Sequence, residues 1–273
     1  MWRLLKILLS LGWEVTYASV DLSDIEPWVS RLLEIGVKVL RPPFNPSLKR
    51  HLRRQGAAYD AVWLCRVSVA QGLLNRVRKH CPRAKLIFDT VDLHYLREQR
   101  EAELSGSARA MKSAAETRRA ELGVVRRVDA TVLVSAEEAR RVQEVCPDSD
   151  LRIISMIHDP LADIEDFEGR RGILFVGGFD HRPNQDGAEW FVSEILPRVR
   201  QSLPEEPFWI VGSGASRFMR DLSAPGVTVV GWVNELDSIY SRSRISVARS
   251  RKSLASAAGE ASGDGRASSR VWA

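Results

Sequence analysis

An α/β fold of two parallel-sheet domains is predicted by three observations on this sequence. Short apolar runs, such as 61–66 and 173–176, alternate with longer stretches in which apolar residues recur at helical spacing. Several runs end in glycines or acidic residues that lead into a helix start. The chain has 273 residues, 44% hydrophobic and 27% charged, so it is long enough to form two cores. Helices between successive strands imply right-handed crossovers, and ligands are then expected at the carboxyl ends of the strands.

The first half of the chain opens on a predicted helix, where a doubly wound domain normally opens on a strand. An apolar stripe runs through residues 2–11, and Gly12 is a candidate C-cap. A signal peptide is disfavoured, because Lys6 interrupts the apolar run and no small-residue cleavage site follows. Asp24 is a candidate cap of the next helix. The predicted strands are 14–20, 37–40, 61–66, 85–90, 130–135 and 151–156, and the predicted helices between them are 25–35, 48–55, 70–80 and 136–145.

Candidate catalytic groups follow the 85–90 strand, in the segment FDTVDLHYLRE. Asp89, Asp92 and His94 lie together where the strand-end rule places a ligand. Asp92 either caps the following helix or takes part in chemistry, and His94 either packs as an ordinary residue or acts as an acid or base. The charged helical stretch 98–127 is predicted to break near 105–107 and at Gly123, and to present a solvated face.

The second half of the chain is organised around ILFVGGFDHRPN, residues 173–184. A buried strand over 173–176 ends at Gly177 and Gly178, and Pro183 and Asn184 start a helix predicted to run to Leu203. Unpaired backbone N–H groups and the helix dipole converge at such a turn, which is typical of an anion site. A bare pair of glycines is also typical of any tight α/β turn, so both interpretations stay open.

A second glycine-rich strand end, Gly212 to Gly214, closes the predicted strand FWIVGSG. The elements predicted after it are a helix over 216–222, the strand VTVVGWV over 227–233, a helix over 236–242 and a strand over 245–248. Trp232 either stacks on a base or fills the core. From Ser250 onward the sequence is mostly Ala, Ser, Gly and Arg, and this composition predicts disorder.

Taken together, these segments closely resemble the donor-binding half of a family 4 glycosyltransferase (a group 1 glycosyltransferase of the two-domain GT-B type). The matching residues are FVGGF, HRPN, Asp186, the pair Trp190 and Phe191, the helix-ending Pro197, VGSG and VGWV. The resemblance implies an acceptor-side Rossmann-like domain over 1–157, a linker over 158–171 and a partial donor domain over 172–248. It leaves 249–273 as a disordered or aberrant tail.

The resemblance also implies the substrates and the site. A nucleotide diphosphate sugar would donate its sugar to a saccharide or lipid-linked acceptor with retained configuration, without a metal or a cofactor. Backbone amides at Gly177 and Gly178 would stabilise the leaving diphosphate. The catalytic residues would be Asp92 and His94. The donor-binding residues would be Gly177, Gly178, Phe179, Asn184, Gly212, Ser213, Gly214 and Trp232.

The sequence departs from the family pattern in three places. The first strand and its glycine-rich loop are missing, so the first domain is expected to lack its initial strand. Val91 precedes Asp92 where the family has a histidine, and His94 comes two positions later. The segment after Ala248 lacks the family's glycine-rich turn with a basic residue and its two-glutamate helix, so the second domain is expected to be incomplete. The chain therefore resembles either an impaired transferase, truncated at both ends, or a non-catalytic remnant that binds nucleotides.

The charge and the cysteine content limit which kinds of partner and which cellular compartment are expected. The formal net charge of +5 and the pI near 9.3 suit anionic partners, but the basic residues are spread out, as on a solvated surface. No nucleic-acid-binding motif is visible, so a nucleic-acid partner is not expected. The three cysteines are far apart, which favours a reducing cytoplasm over a disulfide framework or a zinc site. A peripheral contact with the inner membrane face stays open.

Overall fold

The computed structural model describes residues 1–20, 28–45, 47–157, 164–180, 182–215 and 224–247. The chain divides into two compact units, Met1–His158 and Asp159–Ala273. Every described strand pair is parallel, which confirms the predicted α/β class. Several expectations fall outside the described residues: the Asp24 cap, the first part of the linker, the 216–222 helix and the tail after Ala248.

The first unit alternates helices and strands. Its strands are β1 (Thr16–Tyr17), β2 (Lys38–Val39), β3 (Ala61–Cys65), β4 (Lys85–Asp89), β5 (Ala130–Leu133) and β6 (Leu151–Ile153). Its helices are α1 (Trp2–Ser10), α2 (Trp28–Glu34), α3 (Leu48–Gln55), α4 (Val67–His80), α5 (His94–Ser105), α6 (Ala108–Val125) and α7 (Ala136–Gln143), with a 3₁₀ turn at Gly56–Ala58. Most predicted strands are shorter in the structure, because the ladder pairs only part of each apolar run.

The strands of the first unit form two sheets. β1 pairs with β2, and β3, β4, β5 and β6 form a separate four-stranded sheet in that order. The main core lies between the four-stranded sheet and the helices α4 and α6, around the fully buried Leu86, Phe88 and Leu133. Asp89 is the last residue of β4, and the loop that follows the carboxyl end of this strand leads to Asp92 and His94.

The charged stretch after β4 was predicted to contain two breaks, but it has one and forms two helices, α5 and α6. The break predicted near 105–107 is present, because Gly106 ends α5 with a φ of 63° and Ser107 caps α6 by accepting from the N–H of Ala110. The break predicted at Gly123 is wrong. The α6 helix continues through Gly123 because the flanking Leu122 and Val124 are buried in the core and hold the turn in place.

The second unit contains one four-stranded parallel sheet of order β10-β7-β8-β9. Its core includes Phe208, which stacks on Phe191 with ring centroids 4.6 Å apart. The strands are β7 (Arg171–Val176), β8 (Phe208–Val211), β9 (Val227–Gly231) and β10 (Ser243–Val247), and the helices are α8 (Arg182–Trp190), α9 (Leu196–Arg200) and α10 (Asp237–Arg242). The β10–β7–β8 arrangement places the ends of β7 and β8 side by side.

The resemblance predicted that Pro197 ends its helix, and this prediction is wrong. A π turn over Phe191–Ile195 separates α8 from α9, and Pro197 is the second residue of α9. Proline lacks a backbone N–H, so it is tolerated in the first turn of a helix, where that N–H would have no partner within the helix. Because the π turn ends just before α9, Pro197 lies in such a first turn. The helical path therefore continues to Arg200.

The last part of the predicted linker is attached to the second unit. The guanidinium of Arg244 donates to the carbonyl oxygens of Arg170 and Glu168, and it lies 5.1 Å from the ring centre of Phe167. Residues 167–170 are therefore fixed against β10. The strand that follows begins at Arg171, two residues earlier than predicted.

Candidate functional site

The two glycine-rich strand ends of the second unit are bonded to each other. Beyond the β7–β8 ladder, the N–H of Gly177 donates to Val211 O at 3.0 Å and the N–H of Phe179 donates to Ser213 O at 2.7 Å. The two predicted donor loops therefore form one continuous surface at the carboxyl edge of the sheet. One expectation needs correction: the Gly177 amide is used by the sheet, so it cannot also bind a phosphate oxygen.

Amide side chains from the first turn of α8 brace the loop. Asn184 Nδ2 donates to Gly178 O at 2.9 Å, and the Gln185 side chain donates to Phe179 O. These two donors tie the loop carbonyls to the first turn of α8, whose first N–H groups have no partner within the helix. Asn184 thus acts on the loop backbone.

Two glycines of the β8 loop are required by the backbone itself. Gly212 has a φ of 143°, and a Cβ there would lie 1.8 Å from the carbonyl oxygen of Gly177. Gly214 has a φ of 74°, and a Cβ there would lie 3.1 Å from Asp180 Oδ1. A side chain is excluded at Gly212 by contact with backbone and disfavoured at Gly214 by conformation. These glycines are explained by folding alone.

Gly178 is different, because nothing in the fold requires a glycine there. Its φ lies outside the left-handed region, it is exposed, and a Cβ would meet only Ser213 Oγ at 3.6 Å, an ordinary contact. Its amide has no acceptor among the described residues. Glycine without a conformational reason is typical of a place where a ligand approaches the backbone closely.

The two aromatic residues predicted to bind the donor have opposite environments. Phe179 is 1% exposed and packs against Phe175 with ring centroids 5.9 Å apart, so its side chain belongs to the core, and its assignment to the donor site stays a prediction. Trp232 is 67% exposed, which removes the alternative that it fills the core. This exposure leaves the indole face of Trp232 open for stacking.

In the first unit, the loop after β4 is held in a strained shape. Val91 has a φ of 65°, which is costly for a β-branched residue. Asp89 stabilises this turn: Oδ1 accepts from the N–H of Val91 at 2.9 Å, and Oδ2 accepts from Trp63 Nε1 at 3.0 Å. Thr90, fully buried, donates its hydroxyl to Val132 O. Backbone strain held by several bonds is often found at functional sites.

Two glutamates that the sequence analysis missed hold the start of α5. Glu121 accepts from the N–H groups of His94 and Tyr95 at 3.1 and 3.0 Å, and Glu138 accepts from the N–H of Leu93 at 3.3 Å. Asp92 is not the cap, because Leu93 occupies that position. A signal for Glu121 was present: it lies seven residues after the buried Ala114, on the apolar face of α6.

These contacts bring Asp92 and His94 together. His94 Nδ1 lies 3.5 Å from Asp92 Oδ1 and 3.5 Å from Glu121 Oε1. The second oxygen of Asp92 accepts from Arg97 Nη1 at 2.5 Å. The His94 side chain is 17% exposed and that of Glu121 is 0% exposed. The loop therefore presents one imidazole, backed by two carboxylates.

Burial raises the pKa of the Glu121 carboxyl above its ordinary value, although the N–H groups of Tyr95 and His94 oppose the shift. The folded state then binds this proton more tightly than the unfolded chain. The resulting stability is present below the unfolded pKa of about 4.3 and is lost as pH rises through the raised folded pKa.

We therefore compare the free energy of unfolding of the wild type with that of Glu121→Gln. The wild-type value minus the variant value is expected to fall as pH rises from about 4 toward neutrality. Near neutrality, Glu121→Gln also leaves one buried N–H without an acceptor, at about 1–3 kcal/mol. Urea unfolding across this pH range measures both effects. Glu116→Gln, at an exposed site on the same helix, should change stability by less than about 0.5 kcal/mol. A difference that is constant with pH would contradict the assignment.

The described residues contain no group of side chains suited to hold a metal ion. Within the same residues, none of the helices has both the length and the apolar character needed to cross a membrane.

Comparisons with known proteins bear on the family and on the fold. Residues 170–265 match the family model described as Glycosyl transferases group 1. The match extends beyond Val247 into the segment that was predicted to depart from the family. No curated protein sequence matches the chain.

Solved structures similar to this chain include three glycosyltransferase-type proteins. Sucrose-phosphate synthase from Thermosynechococcus elongatus matches with a TM-score of 0.60 and 15% identity over 91% of this chain and 68% of that one. A Phytolacca americana enzyme complexed with UDP-2-fluoroglucose and pterostilbene matches with a TM-score of 0.50 and 11% identity over 88% and 70%. A UDP-glucosyltransferase from Polygonum tinctorium matches with a TM-score of 0.50 and 11% identity over 89% and 71%. The chain thus has the GT-B glycosyltransferase fold, and residues 170–265 are similar to the group 1 glycosyltransferases.

Proposed function

We propose that this protein transfers a sugar from a nucleotide diphosphate sugar to a saccharide or lipid-linked acceptor, with retention of configuration and without a metal. The bond from the sugar C1 to the diphosphate oxygen breaks as the acceptor oxygen bonds to C1, and the acceptor proton leaves with the diphosphate. The observation that carries the proposal is Gly178, a glycine that the fold does not need, with an amide that has no acceptor among the described residues.

The donor diphosphate would lie over the turn between β7 and α8. The Gly178 N–H and the N–H groups of the first turn of α8 are the donors for its oxygens, in place of the Gly177 amide expected from sequence. Arg182 opens the helix with a side chain that is 82% exposed, and its ion pair among the described residues is a 3.4 Å contact with Asp186. Trp232, with its exposed indole, supplies a surface for the base.

Asp92 and His94 are the proposed catalytic residues of the first unit. The imidazole has one ring nitrogen that can accept a hydrogen bond and one that can donate, which suits it to exchange hydrogen bonds with sugar hydroxyls. The Asp92 carboxylate lies beside it and pairs with Arg97. An ionised carboxylate favours positive charge that develops at the sugar carbon as the diphosphate departs.

We expect weak donor binding. One exposed helix start contributes on the order of 1 kcal/mol of dipole attraction. The sequence after Ala248 lacks the glycine-rich turn with a basic residue and the two-glutamate helix that the resemblance implies, although the family match extends to residue 265. A nucleoside diphosphate should therefore bind with a Kd of roughly 1 mM, about 4 kcal/mol, and more tightly than its monophosphate or nucleoside.

Calorimetric titration of the full chain with uridine, guanosine and adenosine diphosphates measures this. The matched monophosphates and nucleosides are the controls for the phosphate contribution. Equal affinity for nucleoside and diphosphate would refute a phosphate site at the β7 turn. Micromolar affinity would show that the donor site is whole.

A second candidate is a nucleotide-binding module without transfer activity. The composition of 249–273, rich in Ala, Ser, Gly and Arg, favours it because the segment carries only one glutamate, Glu260. Both candidates predict nucleotide binding. They separate in an assay for sugar release from a nucleotide diphosphate sugar with and without saccharide acceptors, where only the transferase gives acceptor-dependent release.

A further inference from the structure

The imidazole of His94 has one polar atom inside the protein. Nδ1 has no exposed surface and makes no hydrogen bond of good geometry with any residue that the structure describes, although carboxylate oxygens of Asp92 and Glu121 each lie 3.5 Å away. The exposed part of the side chain therefore lies on the other ring atoms. Among these only Nε2 is polar, so it is the atom through which His94 meets a ligand.

Glu121 and Asp92 differ in how firmly they are fixed. Both oxygens of Glu121 accept backbone N–H groups at the start of α5, and its side chain is fully buried. The Asp92 side chain is 38% exposed and shares its second oxygen with Arg97. Ion pairs at exposed positions are weak and mobile. Glu121 is therefore the acceptor with a fixed position relative to the His94 ring.

We propose that Glu121 is a positioning residue that fixes the tautomer of His94. A small rotation of the ring brings Nδ1–H within hydrogen-bonding distance of Glu121 Oε1, as such contacts often tighten when a ligand binds. A neutral imidazole carries one N–H, so a proton on Nδ1 leaves a lone pair on Nε2. Nε2 then accepts a hydrogen bond from a hydroxyl group. It cannot bind a phosphate oxygen, which has no proton to donate.

This inference rests on the proposed function for the identity of the hydroxyl, which would belong to the sugar or to the acceptor. The tautomer itself does not depend on activity. Glu138 offers a matched comparison, because it also accepts a backbone N–H at the start of α5 while its other oxygen accepts from the N–H of Val134. The same change from glutamate to glutamine therefore tests helix capping without the contact to the imidazole.

The test is the two-bond ¹H–¹⁵N correlation spectrum of the histidine rings of the full chain, at a pH where imidazoles are neutral. The chain has five histidines, and His94→Gln assigns the signal. We expect wild-type His94 to be mainly in the Nδ1–H form. Glu121→Gln replaces a charged acceptor by a neutral one and should lower the ratio of Nδ1–H to Nε2–H by about tenfold. Glu138→Gln should leave the ratio unchanged.

Asp92→Asn keeps the test informative if Glu121→Gln does not fold. It removes the other carboxylate, and the Nδ1–H form should persist because Glu121 holds it. A predominant Nε2–H form in the wild type, loss of the Nδ1–H form in Asp92→Asn, or equal spectra for Glu121→Gln and the wild type would each overturn the proposal. Absence of sugar transfer would count against the proposed function only, since the spectra do not require it.

Discussion

Gly212→Ala is expected to unfold the sheet edge of the second unit. The new Cβ would lie 1.8 Å from the carbonyl oxygen of Gly177, and the φ of 143° is strained for any side chain. Neither obstacle yields to a rotamer change, because the opposing atom belongs to the backbone of Gly177, whose N–H is bonded to Val211 O. We expect a loss of more than about 4 kcal/mol, the range reserved for changes that break the fold.

Amide hydrogen exchange at 173–176 and 208–211 measures the effect, since these residues form the ladder that the clash would separate. Gly178→Ala is the matched control: the same methyl group is added one loop away, where its nearest neighbour is Ser213 Oγ at 3.6 Å. That variant should change stability by less than about 0.5 kcal/mol. Wild-type protection in Gly212→Ala would show that the two strand ends are not in contact as described.

Gly178→Val is expected to abolish nucleotide diphosphate binding while the fold remains. The residue is exposed and its φ lies outside the left-handed region, so a larger side chain is accommodated by the protein. The same side chain would cover the amide and keep the phosphates away from the start of α8. Loss of one preorganised donor costs about 100-fold to 1,000-fold in rate, so any sugar transfer should become undetectable.

Calorimetry and hydrogen exchange on the same protein separate the two effects. Ser202→Val provides the control, since it places the same valine side chain at an exposed position after α9 and outside the β7 turn. It should bind nucleotide as the wild type does. If Gly178→Val binds with unchanged affinity, the phosphates do not approach the backbone at this turn, and the donor site proposed for the second unit is wrong.

The strand and helix order was predictable from sequence because it depends on local periodicity. Short apolar runs bounded by glycines indicated β7 and β8, and the strand-end rule indicated the loop after β4 as a ligand site. Boundaries were less predictable. The α6 helix passes through Gly123, and a π turn lets the path continue past Pro197, because buried neighbours outweigh the local preference of one residue.

By itself, the sequence determined the α/β class, the glycine-rich turn after β7 and the candidacy of Asp92 and His94. Only the tertiary structure decided which glycines serve the backbone and which leaves room for a ligand, since that depends on atoms far apart in sequence, such as Gly212 and the Gly177 carbonyl. It also decided that Phe179 belongs to the core and that Glu121 stands behind His94. Burial and capping of this kind arise when separate helices pack, and no local pattern specifies the partner that a buried carboxylate will meet.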